Sequence, residues 1–261
     1  MRARSLTGST RRPQVTVLEV FKGSYDRDTL TIVPTWVDST RPMPGVEREV
    51  FTTGEESILF LEHYVDEYGR PGGAEVFSVL TSASGKVAIP TEGADALLTA
   101  VRRFKSILEL PEHDAQMLAM RGFLREANPF LIEAAIAECL RFRAITVEDT
   151  EALLTLAGHP RPDFRAGALD LIGLLVREAR EAGPDSGSLT DRAVFDRVGS
   201  TALNDTDASV RSRAIVTLES FGTPSALTLI ETIGVQDTSQ SVRYQAQVAA
   251  HRLRNRANGA R

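Results

Sequence analysis

The chain has 261 residues, 42% apolar and 25% charged, with a formal net charge of −5. That composition excludes a largely disordered chain, and the acidic balance argues against a dedicated nucleic-acid binder, which concentrates basic charge on one face. The single cysteine, Cys139, excludes an internal disulfide and any multi-cysteine zinc site, and no apolar run reaches the length of a membrane span.

The opening "MRARSLTGSTRRPQ" carries Arg2, Arg4, Arg11 and Arg12 and lacks the apolar core of a signal peptide. It reads as a frayed, solvated terminus in preference to a membrane or nucleic-acid arm. From Val15 the pattern changes to short β-branched runs: "VTVLEVF", "TLTIV", "ESILFLE", "EVFSVL" and "KVAI". Each is bounded by turn chemistry such as "KGSYDRD", "EYGRPGG" and "SASGK". Short strands between Gly and Pro turns predict a small antiparallel barrel or sandwich. In "VTVLEVF", Val15, Val17 and Phe21 fall on one face and Thr16, Leu18 and Val20 on the other, which predicts a central strand covered on both sides.

After "IPTEG" the period switches from two to about 3.6. In "TEGADALLTAVRRFKSILEL" a stripe runs through Ala94, Leu97, Leu98, Val101, Phe104, Ile107 and Leu108, with Thr91 as cap. "PEHDAQMLAMRGFLREA" predicts a second amphipathic helix with Pro111 at its first position.

The remainder repeats itself. "PDFRAGALDLIGLL", "DTDASVRSRAIVTLESFG" and "DTSQSVRYQAQVAAHRL" align on Arg165, Arg211 and Arg243. The first interval is the longer because it contains the loop-like "EAGPDSGS". An earlier unit, "NPFLIEAAIAECLRF", keeps the apolar rhythm but has Ile132 in place of the arginine. Each unit reads as a helical hairpin, the second opening on a helix capped by Thr146. Hairpins of this size cannot cover their own apolar faces, so they must stack. Ala168, Ala214 and Ala246, three residues after each arginine, permit close approach.

Two resemblances follow from these stretches. "VLEVFKGS", "TLTIV", "TTGEESILFLE" and "EVFSVL", spanning residues 17–80, resemble the netrin-like, oligonucleotide/oligosaccharide-binding-type (OB) barrel that includes the tissue inhibitors of metalloproteinases. The positions that carry the likeness are Lys22, Gly23, Gly54, Glu55 and Ile58 to Leu61. The inhibitors chelate zinc with an N-terminal cysteine; no cysteine precedes Cys139, so that mechanism is ruled out. The family's apolar first strand, upstream of "VTVLEV", is missing, so the chain is expected to begin inside a longer product. The compartment stays open between export, which the barrel family suggests, and the cytoplasm.

The motif of turn aspartate, Val-Arg and alanine resembles the HEAT repeat, including the HEAT-like form of phycobilisome lyases and bacterial scaffold proteins. In that family the turn aspartate and the helix arginine interact between repeats. The resemblance therefore implies a structural ladder of Asp163, Arg165, Asp205, Asp207, Arg211, Asp237 and Arg243.

The expected fold is α+β and multidomain. Residues 1–90 form an OB or netrin-like barrel, 91–127 two connecting helices, and 128–261 a right-handed, armadillo-like α-α superhelix of about four HEAT-like hairpins. No catalytic set accompanies it. His63, His113, His159 and His251 are scattered without metal spacing. Cys139 lies among alanines and leucines as a small buried hydrophobe. "YDRD" lacks the remaining ligands of a calcium loop. Tyr25, Trp36, Tyr64 and Tyr68 have too few basic neighbours for a base-stacking platform. No cofactor is implied. The sequence reads as a non-enzymatic scaffold that binds another protein. The alternatives are a modifying enzyme like the phycobilisome lyases, and nucleic-acid binding through the barrel or the arginines.

Overall fold

A computed structural model describes residues 1–6, 14–21, 23–33, 51–63, 76–79, 86–183 and 192–259. The chain is α+β and divides into two compact units, Met1–Ser106 and Ile107–Arg261.

Among the described residues the first unit holds seven strands in one sheet: β1 (Arg2–Ser5), β2 (Gln14–Glu19), β3 (Thr29–Val33), β4 (Glu56–Leu59), β5 (Leu61–His63), β6 (Val76–Val79) and β7 (Lys86–Ala88). The order is β5-β6-β3-β2-β1-β4-β7. All neighbours are antiparallel except β3 and β6, which are parallel. Ala3, Val15, Leu30, Ile32, Phe51, Leu59 and Phe77 make the core.

The first residues of the arginine-rich terminus form a strand and are not frayed, while Arg11 and Arg12 lie outside the described residues. Ala3 and Ser5 point inward while Arg2 and Arg4 alternate outward, a period-two pattern that suits a strand. Both arginines bind the Glu56 carboxylate across the β1–β4 pair. Hydrogen bonds from Arg4, then Arg2, hold that carboxyl below its ordinary value. A strand thus stands upstream of "VTVLEV", but it is the polar "RARS" and not the apolar run of the barrel family. β2 is central, as its pattern predicts, but Leu18 is 39% exposed, so only one of its faces carries the core.

The predicted strand "ESILFLE" breaks at exposed Phe60. Its first half, β4, pairs with β1 and β7; its second half, β5, pairs with β6 at the far edge. Only one residue separates Leu59 from Leu61, which spans at most about 7 Å, so the sheet curls around its core to bring β5 beside β4. The described strands nevertheless leave β5 and β7 as unpaired edges. The sheet is open, not the closed barrel expected from the sequence: strands of three or four residues offer too few backbone pairs to seal it.

The helices are α1 (Ala94–Leu108), α2 (His113–Gly122), α3 (Pro129–Phe142), α4 (Thr150–Leu156), α5 (Pro162–Ala182), α6 (Arg192–Asn204), α7 (Ala208–Phe221), α8 (Pro224–Gln236) and α9 (Gln240–Gly259). Arg102 on α1 grips Glu19 of β2 with a two-pronged hydrogen bond. Glu112 is the N-cap of α2, so Pro111 lies just outside the helix instead of at its first position. Local chemistry sets several starts: the side chains of Asn128, Asp207 and Thr223 accept from Phe130, Val210 and Ala226 backbone N–H groups.

From α2 onward, hairpins pack in chain order. α2 packs on α3, α4 on α5, α6 on α7 and α8 on α9, while α3, α5, α7 and α9 contact one another in sequence. Ala168, Ala214 and Ala246 are fully buried along this row. Gly167 permits close approach of α3 and α5: a Cβ there would lie 2.6 Å from Ile136 Cγ2. Gly167→Ala is therefore expected to overpack the α3–α5 contact and cost about 1–3 kcal/mol, measured by urea unfolding.

Candidate functional site

Three second helices begin with the same device. Arg165 Nη1 donates to the His159 carbonyl at 3.0 Å, six residues back. Its Nε and Nη2 donate to the two Asp205 carboxylate oxygens, both at 2.8 Å. Arg211 repeats this, with Nη1 on the Asp205 carbonyl at 2.8 Å and the Nε/Nη2 edge on Asp237 at 2.7 and 2.9 Å. Arg243 Nη1 takes the Asp237 carbonyl at 2.6 Å. Among the described residues its remaining edge meets no carboxylate. Each arginine so placed braces its own loop, and the first two also grip the loop of the next hairpin.

These pairs are largely shielded from solvent. The side chains of Arg211 and Asp237 are 10% and 5% exposed. The Arg211 hydrogen bonds hold the Asp237 carboxyl below its ordinary 3.8, against burial. At Asp205 burial is the largest influence and opposes ionisation, yet Arg165 and the Asp207 N–H still bring the carboxyl below that value.

Two of the seven candidate residues stand elsewhere. Asp163 pairs with Arg161 at the exposed start of α5, and the position six residues before Arg165 is His159. Asp207 caps α7 through Ser209 and Val210 N–H groups.

Sequence reading missed a further buried carboxylate. Asp149, 1% exposed, accepts from Arg121 Nε at 2.6 Å, Arg125 Nη1 at 3.2 Å and the Thr146 N–H at 3.1 Å. The signal was present as "TVED", a cap residue followed three positions later by an acid.

A cleft of about 490 Å³ opens where the C-terminal halves of α5, α7 and α9 meet. Arg177, Arg180, Glu181, Glu219, Ser220 and Arg256 line it. Ser220 is its hub: the hydroxyl accepts from Arg177 Nη1 at 3.0 Å and the carbonyl from Arg180 Nη1 at 2.8 Å. Glu219, buried beside it, is matched by Arg252 at 3.4 Å and Arg256 at 3.1 Å. This cleft was also missed, although "REAR" in α5 and "HRLRNR" in α9 are its basic ingredients.

The other candidates serve packing. His113 stacks edge-on against Phe142 and His159 lies against Phe164. His251 meets Asn255, and no group of three or more possible ligands occurs among the described residues. Tyr25 packs on Phe77, with its hydroxyl donating to the Thr29 carbonyl. Trp36, Tyr64 and Tyr68 lie outside the described residues.

Cys139 is fully buried, and burial, followed by the nearby Asp149 charge, pushes its thiol up to about 11. The thiolate is the reactive form. Iodoacetamide at pH 8 is therefore expected to leave Cys139 unmodified in the native chain and to alkylate it after denaturation, as intact-mass analysis would show.

Among the described residues no helix is long and apolar enough to cross a membrane. No family model, curated protein or solved structure matches the chain.

Proposed function

We propose that the chain is a non-enzymatic protein-interaction module. In this reading Ile107–Arg261 is a HEAT-like solenoid that presents the binding surface, and the open N-terminal sheet is a netrin-like domain that accompanies it. The observation that carries the reading is the shared bonding of Arg165, Arg211 and Arg243. Each reaches the carbonyl six residues back, and the first two also clamp the next hairpin's aspartate. A device that recurs in phase belongs to a repeat array, and such arrays offer long surfaces to partners.

The test is capture of partners from native extract on the full-length chain, followed by chemical cross-linking and mass spectrometry. A stoichiometric protein partner with cross-links concentrated in residues 107–261 is the expected result. No saturable partner, or turnover of a small substrate by the purified chain, would sink the reading.

A further inference from the structure

We infer that the cleft at the C-terminal ends of α5, α7 and α9 binds a carboxylate side chain on an acidic segment of a partner protein, with Arg177 and Arg180 as the donors. This rests on the interaction-module reading and gives it a site.

The argument starts from how this chain uses its arginines. Arg165 and Arg211 each place Nη1 on a carbonyl and close the Nε/Nη2 edge on a carboxylate. That edge matches a carboxylate with two parallel hydrogen bonds. Arg177 and Arg180 also place Nη1 on a neutral acceptor, the hydroxyl and the carbonyl of Ser220. Their Nε/Nη2 edges meet no carboxylate among the described residues. The half-buried Asp170 feels Arg177 only as a charge and makes its direct contact with Arg213.

Both side chains are exposed, and each guanidinium is tethered by one hydrogen bond to Ser220. Arg180 lies over Gly222, where a Cβ would come within 2.5 Å of Nη1, so only glycine leaves that place open. Gly222 is also left-handed, at φ +64°. Ser220, held at 6% exposure, anchors Arg177. Donors tethered in advance lose less freedom when a ligand arrives.

The field in the cleft has the right sign. Glu219 is already matched by Arg252 and Arg256, so it does not quench Arg177 or Arg180. Three arginines and two carboxylates line the cleft, a net positive site, although the whole chain carries −5. A volume of 490 Å³ accommodates a side chain or two. Among the described residues the lining contains no aromatic side chain, and so no stacking platform of the kind on which single-stranded nucleic acids depend. An acidic protein segment is the occupant these features favour.

The experiment uses the full-length chain and fluorescence anisotropy with a labelled peptide of alternating Glu and Gly. Its Gln-for-Glu twin, inorganic phosphate as competitor and an oligo-dT strand complete the set. The Glu peptide is expected to bind, more weakly as salt rises, and the twin to fail. Arg177→Gln/Arg180→Gln is expected to weaken binding by about tenfold or more. Arg177→Lys/Arg180→Lys keeps the charge but removes the fork, and should weaken it too; this variant decides the matter if the Gln pair does not fold. Equal binding by the Lys pair, no Glu-peptide binding, or preference for phosphate or oligo-dT would overturn the inference.

The two proposals fail separately. A native partner held equally by wild type and the Gln variant removes the cleft and leaves the module. Glu-peptide binding lost in the variant, with no partner captured from extract, does the reverse.

Discussion

Arg211→Ala is expected to lower the melting temperature of the helical signal by about 10 °C. Removing the arginine leaves the solvent-shielded Asp237 without a hydrogen-bonded cation, only the Ser239 N–H and the Arg243 charge remaining, and breaking one half of a buried pair costs about 3–5 kcal/mol. For a unit of this size each kcal/mol moves the midpoint by about 2–4 °C. Arg161→Ala removes an exposed contact with Asp163 and should change the midpoint by no more than a few degrees. Equal melting of the two variants would show that the Arg211 bridge contributes nothing.

The same bridge fixes the sign of an acid effect. Asp237 and Asp205 ionise more readily in the folded chain than their ordinary 3.8. Their stabilisation is therefore complete above that value and drains away as pH falls below it toward the folded pKa. Melting points of wild type should drop through this range. In Arg211→Ala the drop should be shallower, because Asp237 has lost the partner that favours its charged form. A steeper drop in the variant would contradict this.

Asp149→Ala should be comparably severe. The change strips Arg121, itself only 14% exposed, of its closest carboxylate and removes the acceptor of the Thr146 N–H. The loss combines a largely buried cation left with only the exposed Glu148 at 3.5 Å and a broken cap, up to about 3–5 kcal/mol for the first and about 1 kcal/mol for the second. Urea titration of the helical signal measures it. Asp149→Asn retains an acceptor and should recover part of the loss. Identical midpoints for Ala and wild type would show that the carboxylate is dispensable.

How far the sequence could be read follows from how local each signal is. The runs at 14–19, 29–33, 76–79 and 86–88 carry their own period, and the strands stand where it puts them. The helical stripes are equally local. β1 escaped because its outward residues are arginines whose partner, Glu56, lies far along the chain. The break at Phe60 escaped because an apolar run does not announce where it leaves one neighbour for another.

The arginine phase was visible as a repeat, but spacing alone did not show that Asp163 faces Arg161. The cleft was the least legible feature. Ser220, Arg177 and Arg256 come from three helices, and only packing brings them together.

The guanidinium and carboxylate of each bridge belong to different hairpins, and this has a kinetic consequence. Opening of α8–α9 pulls Asp237 away from Arg211, stranding a half-covered cation in the hairpin that stays folded. Fraying of one hairpin thus raises the free energy of its neighbour and discourages partly opened arrays. Amide hydrogen exchange should therefore report α6 through α9 as a single protected block, where a bridge-free stack would fray stepwise from its end.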